Sequence, residues 1–417
     1  MITPEISIVV VSHKRPHLLR QVLTALRLQT HVSYEIIVVA DNDPEPKKID
    51  KDYHHILFSD ANISIARNLG YEAARADIVA FCDDDAIPEP TWAAHLIRVF
   101  ENPEVIAATG RVKARNGFSD QWPVVWSDRT GLDQRTELWP NSTVSHPCTE
   151  QAFVKLQGTN MAFRRTCLEE LSGFDSTFAY FLDETDIALR AARRWAGSKF
   201  AVVPDAVVHH LFAESQTRSH ARAPKSMRMI MQSVHHFLEK HYEVERAEVL
   251  SRYKAAQRFR IFEALKIGNL QPSSANRLLQ ELDEVPDPPR AMENVTSSQN
   301  TSMTHSSKRR SHYLIASTRR HRRMAKQHVL ELVASGALVT FLDLSLTPWA
   351  QIRGFDPSGF WYQSGGLFGQ HDRSTNKRFR TLREASIETA ARLKKMRPVD
   401  EIIYYSPLQK KPAKLIV

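Results

Sequence analysis

The sequence predicts an α/β fold built on a parallel, doubly wound sheet with helices on both faces. Apolar runs of strand length recur at Ile6–Ser12, Glu35–Asn42 and Ile78–Asp85. Helical patterns separate them, one over Leu18–Leu28 and one that opens at Ser64–Gly70. The second and third apolar runs both end on acids, and open α/β sheets bind ligands at the carboxyl ends of their strands.

Three consecutive carboxylates, Asp83, Asp84 and Asp85, end the third run, and Pro88 prevents the strand from continuing. Acids this close repel one another, so the cluster is costly unless a cation neutralises it. Mg²⁺ or Mn²⁺ together with a diphosphate would do so, because hard cations prefer carboxylate and phosphate oxygens. The alternative is a solvated acidic turn.

Phosphate-binding glycine loops are missing from this half of the sequence. Neither G-x-G-x-x-G nor G-x-x-x-x-G-K-[ST] occurs, which argues against a dinucleotide oxidoreductase and a P-loop NTPase. Asp41 ends the second run as Asp83 ends the third, so both are expected at adjacent strand ends. The sequence therefore predicts a nucleotide site without a glycine-rich loop.

A series of motifs in this order resembles the family-2 glycosyltransferases, inverting enzymes of the GT-A fold that use nucleotide-sugar donors. The resemblance covers about residues 4–215, roughly half of the chain, and each motif is weak alone while their order is specific. The motifs are Val9–Ser12, Val38–Asn42, Ala66–Gly70, Phe81–Asp85, Gly158–Arg164, Gly173–Asp175, Asp183–Arg190 and Pro204–His210.

The resemblance implies roles for individual positions. Asp41 would contact the nucleotide base, Asp85 would ligate Mn²⁺ or Mg²⁺, and Asp83 would hold the ribose or a metal-bound water. His209 or His210 would supply a further metal ligand or diphosphate contact. Adjacent strand residues point to opposite faces, so only one histidine can face the site, and His210 is preferred. The remaining residues expected to bind the nucleotide-sugar are Ser12, Arg67, Asp84, Gly158 and Asn160.

Inverting transfer requires a base that removes the proton of the acceptor hydroxyl. Alignment on Asp186–Arg190 implies that Glu184 is this base. The family's usual order, Glu then Asp, is reversed here, so Asp183 is a rival. Asp186 is expected to be structural or to orient substrate on the acceptor side. Acids also favour the first turn of a helix, which explains one of the three but not all.

The acceptor side is expected within residues 111–157, where periodicity is weak. Trp122 and Trp126 offer aromatic faces that would stack on a sugar, with Trp139 nearby in the sequence. The alternative is that these tryptophans belong to the core.

Composition and charge limit the class of protein. The chain has 417 residues, 42% of them hydrophobic, and three cysteines whose spacing fits no zinc motif or disulfide framework. This suggests a reducing cytoplasm, with peripheral contact at the inner face of the membrane as an option. No apolar run approaches the roughly 20 residues of a membrane span, and no signal peptide is evident. Because processive synthases of the family carry such spans, a non-processive transferase is favoured.

Four regions are predicted: a catalytic domain over 1–220, a helical extension over 221–285, a flexible linker over 286–311, and a small α/β domain of unknown role over 312–417. The helical extension is amphipathic and basic. Packing against the catalytic domain is favoured for it over resting on an anionic membrane surface.

Two other classes of function remain. The formal charge is +9, and residues 308–326 are dense in Arg and His, which would suit a nucleic-acid binder. No binding motif accompanies the charge, so nucleic acid is not expected as a partner. A sugar nucleotidyltransferase is the closer alternative, but its glycine-rich N-terminal loop is absent. The expected partners are a nucleotide-diphosphate sugar and a glycan or lipid-linked acceptor, in bacterial envelope or exopolysaccharide assembly.

Overall fold

The computed structural model describes residues 3–48, 51–214, 218–219, 223–242, 245–284, 303–306, 309–370, 381–405 and 412–416. The helices are α1 (Pro16–Leu26), α2 (Ile63–Glu72), α3 (Trp92–Arg98), α4 (Arg165–Glu170), α5 (Asp183–Arg194), α6 (Arg228–His241), α7 (Arg246–Lys266), α8 (Pro272–Asp283), α9 (Arg322–Ala334) and α10 (Leu382–Leu393). The strands of the N-terminal half are β1 (Ile6–Ser12), β2 (Ser33–Ala40), β3 (His54–Leu57), β4 (Ile78–Asp83), β5 (Ala86–Pro88), β6 (Val105–Lys113), β7 (Val124–Ser127), β8 (Asp133–Glu137), β9 (Val144–Pro147), β10 (Phe153–Val154), β11 (Asn160–Arg164) and β12 (Lys199–His210). The remaining strands are β13 (His305–Ser306), β14 (His312–Thr318), β15 (Leu338–Ser345), β16 (Ile352–Asp356), β17 (Phe360–Gly366), β18 (Glu401–Tyr405) and β19 (Ala413–Ile416).

The main sheet has ten strands in the order β13-β2-β1-β4-β11-β6-β12-β5, with β3 beside β2 and β9 beside β12. Strands β1 to β4 run parallel where they pair, and β6 runs parallel to β12. Strand β11 is antiparallel to both of its neighbours, β4 and β6. The predicted α/β class with helices on both faces is confirmed, but the sheet is mixed and not mostly parallel, because β11, β5, β9 and β13 all pair antiparallel with their neighbours. The antiparallel insertion of β11 was not predicted.

Helices cover both faces of this sheet. Helices α1 and α3 pack on one face, and α2 and α5 pack on the other. The side chain of Asn62 caps α2 by accepting a hydrogen bond from the Ile65 amide at 3.0 Å. Gly70 lets α2 lie close to β1, because a Cβ there would meet a Val9 methyl at 2.3 Å. These contacts fix the helix that carries Arg67.

The helical extension, made of α6, α7 and α8, packs on the same face as α2 and α5. The apolar residues of its first helix are buried in that core, and they are Met227, Ile230, Met231, Val234, Phe237 and Leu238. The structure therefore agrees with packing against the catalytic domain. None of the helices in the described ranges is long and apolar enough to span a bilayer.

The C-terminal α/β unit forms a second sheet of six strands in the order β16-β17-β15-β14-β18-β19. Parallel pairing joins β17, β15, β14 and β18, with α9 and α10 on opposite faces. These strands and helices lie within residues 312–417, the region for which a small α/β domain was predicted. Phe355 and Trp361 of this unit join the core beside α1 and α3.

Most of the predicted linker over 286–311 lies outside the described residues. Within its described part, β13 pairs antiparallel with β2, and the His305 ring stacks on Tyr34 with 4.7 Å between centroids. The Arg310 guanidinium donates hydrogen bonds to the carbonyl oxygens of Gly336 and Arg27. These residues are therefore attached to the main sheet and do not form a free tether. The domain boundaries themselves stay a prediction.

Candidate active site

A cavity of about 840 Å³ opens at the carboxyl ends of β1 and β4. Many of the residues singled out from the sequence line it, among them Ser12, Arg67, Asp83, Asp85, Trp122, Gly158, Asp183, Glu184 and His210. The sheet places β1 directly beside β4, so the ends of both strands meet at this cavity. Helix α5 starts at its opposite wall with the Asp183–Glu184 pair.

Asp83, Asp85 and His210 form a cluster in which one ligand atom from each residue lies within 4.8 Å of the others. Strand β4 delivers Asp83, and the antiparallel pairing of β12 with β5 brings His210 opposite Ala86, next to Asp85. The Nε2 atom of His210 lies 3.1 Å from Oδ1 of Asp85. Two carboxylates and an imidazole are a donor set that suits Mn²⁺ or Mg²⁺.

The hydrogen bonds around His210 agree with such a use. Its Nδ1 lies 2.8 Å from the side-chain oxygen of Gln121, so the Nδ1–H donates to that oxygen. The lone pair of Nε2 then faces the carboxylate oxygen of Asp85, which is favourable only with a cation or a proton between them. The imidazole and the Arg15 guanidinium hold the pKa of Asp85 well below its ordinary value, although burial opposes this.

Asp84 contacts two residues that line the cavity, Ser12 and Arg15, without lining it itself. It is fully buried, accepts a hydrogen bond from the Ser12 hydroxyl at 2.6 Å, and pairs with Arg15 at 2.6 Å. Burial raises its pKa to about 7, although Arg15 opposes the shift. The predicted contact of Asp84 with the nucleotide-sugar stays a prediction, because Asp84 is not among the residues that line the cavity.

Arg67 links the two acidic motifs. Its guanidinium pairs closely with Asp183, lies 3.7 Å from Asp83, and donates a hydrogen bond to the Gly158 carbonyl at 3.2 Å. A Cβ at Gly158 would come within 2.8 Å of that guanidinium, which explains the glycine. Burial raises the pKa of Asp183, an effect that Arg67 opposes and the neighbouring Glu184 charge strengthens.

The backbone before α5 is strained. Phe181 and Leu182 have φ angles of 71° and 67°, in the left-handed region that costs a residue with a side chain of order 1–3 kcal/mol. These two residues directly precede α5, whose first turn carries Asp183 and Glu184 at the cavity. Of the two rival bases, Asp183 is 3% exposed and bound to Arg67, whereas Glu184 is partly exposed.

Asp186 lies away from the cavity. It is fully buried and bound by three basic side chains: Nε2 of His241 at 2.6 Å, Arg190 at 2.8 Å and Lys240 at 2.9 Å. Two of these partners belong to α6, so Asp186 anchors the helical extension to the catalytic domain. This placement matches the structural alternative and leaves Asp186 out of direct acceptor contact.

Four other predicted residues are also outside the cavity lining. Asp41 accepts a hydrogen bond from the Lys14 amide, and Lys14 lines the cavity in its place. The side chain of Asn160 is fully buried, accepting from Trp92 at 2.8 Å and donating to the Ala206 carbonyl at 2.9 Å. Asn160 is thus buried behind the cavity wall, whereas Asp41 is partly exposed beside it.

The remaining two are Trp126 and His209. Trp126 is buried beneath Arg135, whose guanidinium lies 4.2 Å from the ring centroid. His209 points to the opposite face of β12 and bonds Glu89 at 2.8 Å. Trp122 does line the cavity, tilted against the His210 ring with 6.2 Å between centroids.

Sequence reasoning missed several residues that line the cavity or support its lining. Arg15 follows Ser12 closely and was a recognisable basic neighbour of the acids. Gln121, which holds His210, gave no signal. Arg218, Met229 and Arg260 lie beyond the resemblance, on the segment after β12 and on α6 and α7.

The family model of glycosyl transferase family 2 matches residues 7–171 of this chain. Among curated proteins, the chain is 26% identical over 191 residues to the glucosyl-dolichyl phosphate glucuronosyltransferase of Haloferax volcanii, covering 41% of this chain and 56% of that protein. It is 25% identical over 228 residues to the succinoglycan biosynthesis protein ExoM of Rhizobium meliloti, covering 51% and 69%. The match thus spans little more than half of the first of these relatives.

Among solved structures, the chain overlaps the TarS protein of S. aureus (residues 1–349, in complex with UDP). The TM-score is 0.41 at 12% identity, over 59% of this chain and 68% of that one.

Proposed function

We propose that this protein is an inverting, metal-dependent glycosyltransferase that moves one sugar from a nucleotide-diphosphate donor to an acceptor hydroxyl. The observation that carries the proposal is that one cavity holds both the Asp83–Asp85–His210 cluster and the Glu184 carboxyl. These are the two groups that the reaction needs, one beside the leaving diphosphate and one beside the acceptor.

In the proposed reaction, the acceptor oxygen attacks the anomeric carbon as the bond from that carbon to the diphosphate oxygen breaks. Glu184 takes the proton of the acceptor hydroxyl, which contributes roughly 10²–10⁴-fold to such reactions. Arg67 holds Asp183 and Gly158 in place beside it. A divalent cation held by Asp83, Asp85 and His210 would neutralise charge on the leaving diphosphate.

The setting proposed is the assembly of a cell-envelope or extracellular polysaccharide. The name of the Rhizobium relative, a succinoglycan biosynthesis protein, supports this setting, and the Haloferax relative acts on a lipid-linked glycan by its name. The acceptor is accordingly a glycan or a lipid-linked sugar.

The test is a screen of nucleotide-sugars with Mn²⁺ or Mg²⁺, following release of nucleoside diphosphate. Release by the unaltered protein but not by Asp85→Asn would support the proposal and identify the donor. Asp60→Asn is the matched control, since Asp60 is an exposed acid that lines the same cavity outside the cluster. Equal release by all three proteins, or no release with any donor, would contradict it.

A further inference from the structure

Arg260 occupies the buried side of α7. Three buried residues of this helix, Tyr253, Gln257 and Ala264, share a helix face with Arg260. They lie seven residues before it, three residues before it and four residues after it, and residues at such spacings point to the same side of a helix. Arg260 is nevertheless a lining residue of the active-site cavity. A positively charged side chain therefore occupies a position at which the spacing of buried residues on α7 predicts an apolar one.

No ion pair joins Arg260 to a carboxylate within the described ranges. Tyr180 and Arg218 are the ionisable side chains that act on it, and burial together with the Arg218 charge lowers its pKa. A partly buried cation without a counter-charge is costly unless a ligand supplies one. Glu214, an acid in the same cavity, pairs with Lys225 at 2.5 Å.

Arg218 carries the second guanidinium. Its Nε–H is buried without a hydrogen-bond partner among the described residues, and another nitrogen donates to the Ala213 carbonyl at 3.0 Å. It lies over the Phe212 ring at 5.1 Å, and this ring stacks on His210. The same guanidinium is 3.8 Å from Asp85. Arg218 thus stands beside the acidic cluster, and Arg260 lines the same cavity.

We infer that Arg218 and Arg260 form an anion subsite in the cavity, which binds a phosphate or carboxylate group of a substrate. The planar guanidinium suits such groups because it donates two parallel hydrogen bonds to their oxygens. This inference rests on the proposed function for the identity of the substrate, but the presence of the subsite can be tested without it.

Two sources of the anion fit this chemistry. The subsite lies close to Asp85, so it can hold the diphosphate of the donor. It is also formed in part by the helical extension, outside the region matched by the family model, so it can hold an anionic group of the acceptor. In either case the extension supplies a substrate-binding side chain to the catalytic cavity.

The experiment measures binding of inorganic diphosphate to the full-length protein by calorimetry, without divalent cations. We expect Arg260→Gln to weaken binding about tenfold, which corresponds to about 1.4 kcal/mol. Arg260→Lys should retain part of the affinity because it keeps the charge. Arg252→Gln is the matched control, since Arg252 is exposed on the same helix. Thermal melts establish that each variant is folded.

A second arm identifies the source. The protein is saturated with the nucleoside diphosphate found in the donor screen and then titrated with inorganic phosphate. If the donor fills the subsite, the loaded protein no longer binds phosphate. If the acceptor fills it, the loaded protein binds phosphate and Arg260→Gln abolishes this binding.

Equal diphosphate affinity in the unaltered protein and in Arg260→Gln would overturn the inference, as would no binding of diphosphate at all. Either result would leave metal-dependent donor turnover untouched. The opposite result is also possible. If the protein shows no donor turnover but its binding of diphosphate depends on Arg260, the proposed function is contradicted and the anion subsite is supported.

Discussion

Arg397 of the C-terminal unit and Glu89 of the catalytic domain form an ion pair in which neither side chain is exposed to solvent. Glu89 also bonds Nε2 of His209, and the Arg397 guanidinium stacks on Trp361 at 4.1 Å from the ring centroid. Burial alone would raise the pKa of Glu89, but the charge of Arg397 and the hydrogen bond from His209 lower it to about 2. The two units are therefore joined through buried charges.

Removing one partner of this pair should destabilise the whole protein. We expect Arg397→Met to lower the free energy of unfolding by about 3–5 kcal/mol, because Glu89 would keep an uncompensated buried charge. Urea unfolding followed by circular dichroism measures this. Lys394→Met is the control, since Lys394 is exposed three residues earlier.

The same pair can be tested by a double-mutant cycle. Adding Glu89→Gln to Arg397→Met should restore part of the lost stability, because the second change removes the unpaired charge. Strictly additive losses would show that the two side chains act independently and would contradict the assigned pairing.

His312 should make stability depend on pH. It is buried, with Nδ1 2.9 Å from the Arg397 carbonyl and Nε2 2.9 Å from the Thr340 hydroxyl, and burial and the Arg397 charge lower its pKa to about 4. Below its ordinary pKa of about 6.5 the unfolded chain binds a proton that the folded chain does not. The free energy of unfolding should therefore fall by about 3 kcal/mol as the pH drops from 6.5 to 4.

Urea midpoints at several pH values check this expectation. His312→Gln should flatten the dependence over that range, while His17→Gln, which alters an exposed histidine, should leave it as it is. A His312→Gln protein with the original pH dependence would refute the assignment to His312.

Metal binding should require the cluster at the end of β4. We expect His210→Ala to weaken Mn²⁺ binding by more than the about 10–100-fold that is typical when a residue supporting a metal ligand is changed. Gln121→Leu should weaken it less, because it removes only the acceptor that orients the imidazole. Calorimetry with Mn²⁺ distinguishes these outcomes, and unchanged affinity in His210→Ala would exclude the imidazole as a ligand.

Substitutions of the two candidate bases, Glu184 and Asp183, should differ in their effects on the melting temperature. Glu184→Gln should melt at the original temperature and bind the donor, yet lose roughly 10²–10⁴-fold in turnover. Asp183→Asn should lower the melting temperature, because it removes the closest carboxylate partner of the buried Arg67 guanidinium. Donor binding and turnover measured alongside melting settle the choice. Full turnover in Glu184→Gln would transfer the role to Asp183.

Much of the fold was predictable because its signals are local. Strands β1, β2 and β4 are nearly uniform apolar runs, and β4 ends within the three acids. The order of strands and helices then places both strand ends at one edge of the sheet. The antiparallel position of β11 was not predictable, since nothing in its five residues indicates that it pairs with β4 and β6.

The site was predictable only where a side chain's environment follows from its neighbours in sequence. The alternation of β12 directs His210 toward Asp85 and His209 away from it. By contrast, the burial of Asp186 depends on His241, 55 residues later, and the hydrogen bonds of Asn160 depend on Trp92 and Ala206. Such long-range partners leave no local pattern, and the same is true of Arg218 and Arg260.

The two short strands beside β2 have a consequence for how the protein behaves at high concentration. Strand β13 pairs with Ser33 and Tyr34, and β3 pairs with the stretch from Ile37 to Ala40, so together they occupy most of the outer side of β2. A long uncovered strand is a template for association with another chain, and short flanking strands are a common protection against aggregation. The segment that leads to the C-terminal unit thus also helps to keep neighbouring copies of the protein apart.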